Sequence, residues 1–212
     1  ENPAILKPSL NNTGPFRFYI HEAFTDNKSM DRFASELILM EGSTYEGGPA
    51  GFKLATQNDV PMADRAQIIS QAFLGQNLAC ACCHDSPFHS HKQKQTFQLA
   101  AMLNRGEQVV PASSSLPGNA SPRARRRIEV SIKPGDAIKA AWAFPKFSQA
   151  DFLASFVQKP ADTREQLAVH INNPGNLQFA RTLVNRVWKR YLGLGIVEPV
   201  ADWEDTEPSH PQ

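Results

Sequence analysis

Residues 80–84 read Cys-Ala-Cys-Cys-His, and this C-x-x-C-H spacing constrains the chain more than any other stretch. On one helical turn, residues three and four apart share a side, so Cys80, Cys83 and His84 face the same way. Two thiols so placed can add to the two vinyl groups of a porphyrin while the imidazole reaches the iron. The spacing therefore predicts one covalently attached haem c, held by Cys80 and Cys83, with His84 as proximal iron ligand. Two other readings of the same residues stay open. A zinc site would need a fourth ligand, and His89 or His91 is near enough in sequence to supply it, although no second Cys cluster exists. A thioredoxin-like redox motif would follow a strand, and the run before Cys80 is patterned as helix. Cys82 reads as a small buried thiol.

Whatever is bound, the chain must fold mainly from helices. Pro15 opens one helix, with Phe16, Tyr19, Ile20 and Ala23 on a face. Ser29 caps a second, carrying Met30, Phe33, Leu37 and Met40, which Gly42 ends. Met62–Leu78 is expected as one long helix running directly into the motif, with Ala66, Ile69, Phe73 and Gln76 marking its periodic face. Pro87 then breaks the chain. Further helices are expected over 93–104, 148–158, 163–172 and 176–192. The last carries an apolar stripe of Phe179, Leu183, Val184, Val187, Trp188 and Tyr191. Trp188 is expected to pack in the core, Arg186 to pair with an acid such as Asp202 or Glu198, and Asn185 to cap a nearby loop. Ile128–Ile132 alternates and is the best strand candidate, and Lys133–Asp136 is a turn. Residues 106–125 form a long Pro/Ser/Gly-rich loop, which the basic stretch Arg123–Arg127 closes. That stretch reads as solvated, or as a partner for haem propionates or an acidic protein.

The predicted fold is thus mainly α, with helices around a covalent haem, a short β element and long loops. It is not a compact class I cytochrome c, because a long helix precedes the motif. A division at 145/146 gives a haem-binding helical domain (1–145) and the start of a second helical domain (146–212). The ends, Glu1-Asn2-Pro3 and Ser209-His210-Pro211-Gln212, read as interior sequence of a longer polypeptide.

Composition excludes more than it assigns. A net charge of +1 creates no field for nucleic acid. No apolar run approaches the roughly 18 residues of a membrane-spanning helix. Three Cys in 212 residues do not make a disulfide scaffold. The expected location, periplasmic or extracellular, rests on the haem motif alone.

Two blocks carry a resemblance. Asp64-Arg65, Phe73-Leu74-Gly75, Cys80–Asp85, Pro87-Phe88 and Gln95, with Asp31-Arg32-Phe33 upstream, resemble the planctomycete-type cytochrome c domain. Arg164–Ala168, Asn173-Pro174, Phe179-Ala180-Arg181, Val184–Trp188 and Gly193–Val197 are similar to the domain that follows it in the same large proteins. The resemblance implies an exported haem c protein of planctomycetes or related bacteria, often encoded with enzymes that degrade sulfated polysaccharides. Its departures are Ser86, where the family often has His, and His89, where it has Asp.

The face of the iron opposite His84 decides the chemistry. A Met or His ligand there favours electron transfer, and an open position allows reaction with a small molecule. Met102 is the first distal candidate, with His21, His170 and Tyr19 as others. Electron transfer with a redox partner protein is the expected function. The alternatives are a haem oxidoreductase acting on peroxide or sugar, and a binding or scaffold module with structural haem or zinc.

Overall fold

The computed structural model describes residues 13–44, 46–54, 56, 60–114, 129–147, 153 and 155–203. Within them the chain is mainly helical. Helices α1 (Gly14–Thr25) and α2 (Met30–Leu39) form the expected hairpin, and a 3-10 segment, Pro49–Leu54, leads to α3 (Pro61–Ile69). Then come α4 (Gln93–Asn104), a two-residue antiparallel pairing of β1 (Gln108–Val109) with β2 (Ala137–Ile138), α5 (Thr163–Asn172) and α6 (Leu177–Leu192). The main core takes Tyr19, Phe33, Leu37 and Ile38 from the hairpin, Ile69 and Phe73 from the centre, and Leu167, Ile171 and Phe179 from α5 and α6. Both halves of the sequence therefore share one core, and burial of apolar surface holds them together. No helix of the described residues is long and apolar enough to cross a membrane.

The long helix expected over 62–78 is interrupted. After Ile69 the backbone widens into a π-turn, Ser70–Leu74, which ends at Gly75 with φ +63°. The Gly75 and Gln76 N–H groups both donate to the Ser70 carbonyl. A left-handed residue cannot continue a helix, so the chain reaches Cys80 through a non-helical segment. Side chains of α6 satisfy carbonyls that the π-turn presents. Gln178 Nε2 donates to Leu74 O at 2.9 Å, and Arg186 Nη2 to Gln71 O at 2.6 Å.

The strand expected at 128–132 is not one over its described residues, 129–132; β1 instead lies inside the stretch read as a loop. The alternation is real in burial, since Ile132 enters a second small core with Val110 and Phe97. Its backbone has other work. Glu129 O accepts the Asp85 N–H at 2.8 Å, which ties the segment to the motif instead of to a sheet. The 133–136 turn forms as expected, with Lys133 N–H on Asp136 Oδ2 at 2.7 Å. Arg123–Arg127 and most of the helix expected over 148–158 lie outside the described residues.

The stripe read on α6 is buried only in part: Phe179 enters the core and Leu183 packs against it. Val184, Val187, Trp188 and Tyr191 are exposed, whereas Phe179, Thr182 and Asn185 are buried. Asn185 does clamp a loop, donating to Val197 O at 2.8 Å and accepting from Val197 N–H at 3.1 Å. Arg186 goes to a carbonyl rather than an acid, and Glu198 pairs with Lys189 at 3.0 Å.

His170 on α5 is buried and stacks on Trp142, with ring centroids 4.4 Å apart and planes at 4°. Burial pushes its pKa down to about 4. The native state then stays unprotonated while the unfolded chain takes up a proton below about 6.5. Stability is expected to fall as pH drops from about 6.5 to about 4, by an amount on the order of 2–3 kcal/mol. Chemical denaturation at pH 7 and 4.5 checks this. His170→Phe keeps an aromatic ring against Trp142 and should flatten the slope; an unchanged slope assigns it to other groups.

Candidate functional site

The motif folds as a single turn. Cys80–Cys82 is a 3-10 segment, and the Cys80 carbonyl accepts both the Cys83 N–H and the His84 N–H, each at 3.2 Å. This shared acceptor brings residues 80, 83 and 84 onto one turn, as the spacing requires. All three cysteines are thiols; Cys83 is exposed and Cys80 half-buried. Cys82 points inward, its Sγ lying 3.7 Å from both Gln67 Oε1 and Leu78 O. Burial, with Asp64 nearby, pushes the Cys82 thiol up to about 12, so it stays protonated.

His84 Nδ1 lies 2.7 Å from the Asp85 carbonyl oxygen. A carbonyl only accepts, so Nδ1 carries the proton and Nε2 the lone pair. This is the usual arrangement of a metal-binding imidazole, whose other nitrogen is fixed by a hydrogen bond. Two thiols three apart on an accessible turn and an imidazole with Nε2 as donor are a set that fits haem c. Among the described residues no three His, Cys, Asp or Glu side chains gather into a metal-binding group.

Asp85 anchors the exit from the motif. Its buried Oδ1 accepts the Gln93 N–H at 2.8 Å, the first N–H of α4, and the Ser131 hydroxyl at 2.7 Å; Lys92 lies 3.3 Å from Oδ2. Burial alone would raise its pKa, but these donors outweigh it and hold the carboxyl below its ordinary range. A carboxylate at a helix N-terminus is favoured by the helix dipole as well. Sequence reasoning gave Asp85 no such role, and only its place beside His84 marked it.

The far end of the chain grips both flanks of the motif. His89 Nε2 donates to Asp202 Oδ2 at 2.8 Å, and Ser86 Oγ donates to His89 Nδ1 at 3.0 Å. Asn77 Nδ2 also reaches Asp202 Oδ2, at 3.3 Å. Trp203 N–H donates to Gly75 O at 2.8 Å, and a Cβ on Gly75 would sit 2.6 Å from the Trp203 ring. Glycine is thus required at 75 twice, by its positive φ and by the indole. Ser86 and His89, the two positions that depart from the resemblance, are partners of one another.

The distal candidates are all engaged. Met102 lies in the main core, 2% exposed. Tyr19 donates to Glu36 at 2.8 Å, and His170 stacks on Trp142. His21 sits on the surface beside Glu22, 3.5 Å away.

Comparison with known proteins agrees with this organisation. Residues 6–108 match the family model PSCyt2, described as a protein of unknown function (DUF1549). Residues 163–212 match PSD1, likewise a protein of unknown function (DUF1553). No curated protein and no solved structure matches the chain. The motif and both of its anchored flanks up to Gln93 fall within the first match, and Asp202 and Trp203 fall within the second. The two matches follow one another along the chain in the order of the two blocks of the resemblance, a PSCyt2 stretch and then a PSD1 stretch.

Proposed function

We propose that this chain is an exported c-type haem protein that works in electron transfer, as a haem domain within a larger redox polypeptide. The observation that carries the reading is the His84 imidazole, whose Nδ1 is committed to the Asp85 carbonyl on the turn that also bears Cys80 and Cys83. Haem c, when bound, supplies a one-electron iron centre. The residues of this chain do the rest. Cys80 and Cys83 would hold the haem through two thioether bonds. Asp85 O keeps the His84 ring in one tautomer and orientation. Asp202 and Trp203 steady the two flanks of the turn. Export follows from the reading, because covalent haem attachment takes place outside the cytoplasm. A redox partner protein and a link to polysaccharide degradation belong to the same proposal.

A second reading, a haem oxidoreductase with an open iron, is favoured by one observation. Met102, Tyr19 and His170 are each built into the packed interior, so none of them stands ready as a sixth ligand. One experiment separates the two. The protein is matured in a periplasm with haem-attachment machinery, and the pyridine haemochrome and native ferric spectra are recorded. A c-type haemochrome with a low-spin ferric state is expected for electron transfer. A high-spin state would move the assignment to the open-iron enzyme, and absence of haem would end both readings.

A further inference from the structure

A pocket of about 430 Å³ opens between α1, α2, the α3–π-turn region and α6, and none of its lining residues belongs to the haem motif. Its walls are apolar: Phe16, Ile20, Phe33, Phe52 and Phe73 among others. One charged residue lines it, Arg186. The guanidinium is pinned from one side, with Nη2 on the Gln71 carbonyl of the π-turn. Its Nε is buried and has no hydrogen-bond partner among the described residues. Among the described residues no carboxylate pairs with Arg186, and burial lowers its pKa with no acid nearby to offset it. A buried donor left unsatisfied costs free energy, and Arg186, half-buried at the pocket wall, carries a charge with no carboxylate beside it among the described residues. Single π-turns inside helices tend to occur at functional sites, and residues Ala72 and Phe73 of this one form part of the wall.

We propose that this pocket binds a small amphipathic carboxylate of the medium-chain fatty acid class, its hydrocarbon among the phenylalanines and its carboxylate on Arg186. A volume of about 430 Å³ is within the usual range for small-molecule sites and accommodates a chain of about ten carbons. An apolar body with a single anionic end is the chemistry that satisfies both features: the hydrocarbon fills the walls, and the carboxylate pairs with the half-buried guanidinium. Because Arg186 and Leu183 come from the C-terminal match and the phenylalanines from the N-terminal one, the ligand also bridges the two family stretches.

The test is calorimetric titration of the full chain with decanoate and with decanol, both below their aggregation limits. Decanoate is expected to bind at one site, at least tenfold tighter than decanol. Arg186→Met should bring decanoate down to the affinity of decanol, and Ala72→Leu, which narrows the pocket and leaves Arg186 intact, should weaken both. Equal affinity for the two probes in the unmodified protein would overturn the proposal. So would undiminished decanoate binding in a folded Arg186→Met protein, or no decanoate binding at all. These outcomes are independent of haem loading, so failure here leaves the haem reading standing.

Discussion

Replacing Cys80 and Cys83 together with Ala abolishes covalent haem, and replacing Cys82 with Ala leaves it intact. This contrast is the largest effect expected for the chain. Three thiols lie within four positions, and composition cannot tell them apart. The turn does so: Cys83 is exposed, and of the two half-buried thiols Cys82 has its Sγ turned to Gln67 and the Leu78 carbonyl. A thiol pushed up to about 12 by burial has almost no thiolate at neutral pH. Haem-dependent peroxidase staining on a denaturing gel reads the result directly. Stain retained in the Cys80→Ala/Cys83→Ala protein would remove the haem assignment. Stain lost in Cys82→Ala, with the protein still folded, would show that the inward thiol takes part.

The second large effect concerns folding. Arg164→Met should lower stability by about 3 kcal/mol, which for a domain of this size is a fall in Tm of about 6–12 °C. Arg164 is buried at the start of α5, where its Nε donates to the Leu103 carbonyl and its Nη1 to the Leu39 carbonyl at 3.0 Å. Those carbonyls lie at the C-terminal ends of α4 and α2, where the helix leaves acceptors unpaired. One guanidinium thus closes two helix ends and ties α5 to both. Methionine fills the space but donates nothing, and two buried carbonyls lose their partner. Arg164→Lys keeps the charge but lacks the fork that spans both acceptors, so it should recover less than half of the loss. A shift under about 2 °C for Arg164→Met would mean that water replaces the guanidinium. Differential scanning calorimetry measures all three proteins.

Helix existence was legible along most of the chain, because the periodic apolar faces of α1, α2 and α4 coincide with what they bury. The errors have particular causes. Gly75 lies inside the periodic run 62–78, and only the packed π-turn shows that the helix stops there. Ile132 alternates like a strand residue because it enters a small core, yet its neighbours spend their hydrogen bonds on Asp85. On α6 the apolar residues spread over a wide arc, with polar residues interleaved among them. Hydrophobicity alone placed Phe179 and Leu183 correctly but also turned Val184, Val187, Trp188 and Tyr191 inward, whereas Asn185 and Arg186 are the ones that meet backbone groups. A polar side chain that satisfies a buried carbonyl looks, in sequence, like one that faces water.

The donor set of the site was readable in one dimension because it is local. Cys80, Cys83 and His84 share a turn, and a turn is set by spacing. Its support was not readable, because it is built across the chain: Asp202 on His89, Trp203 over Gly75 and Ser131 on Asp85 span separations of 113, 128 and 46 residues. Short-range geometry follows from covalent connectivity and helical pitch. Long-range partners follow from the way the helices pack, and that packing is decided by the burial of the whole core at once.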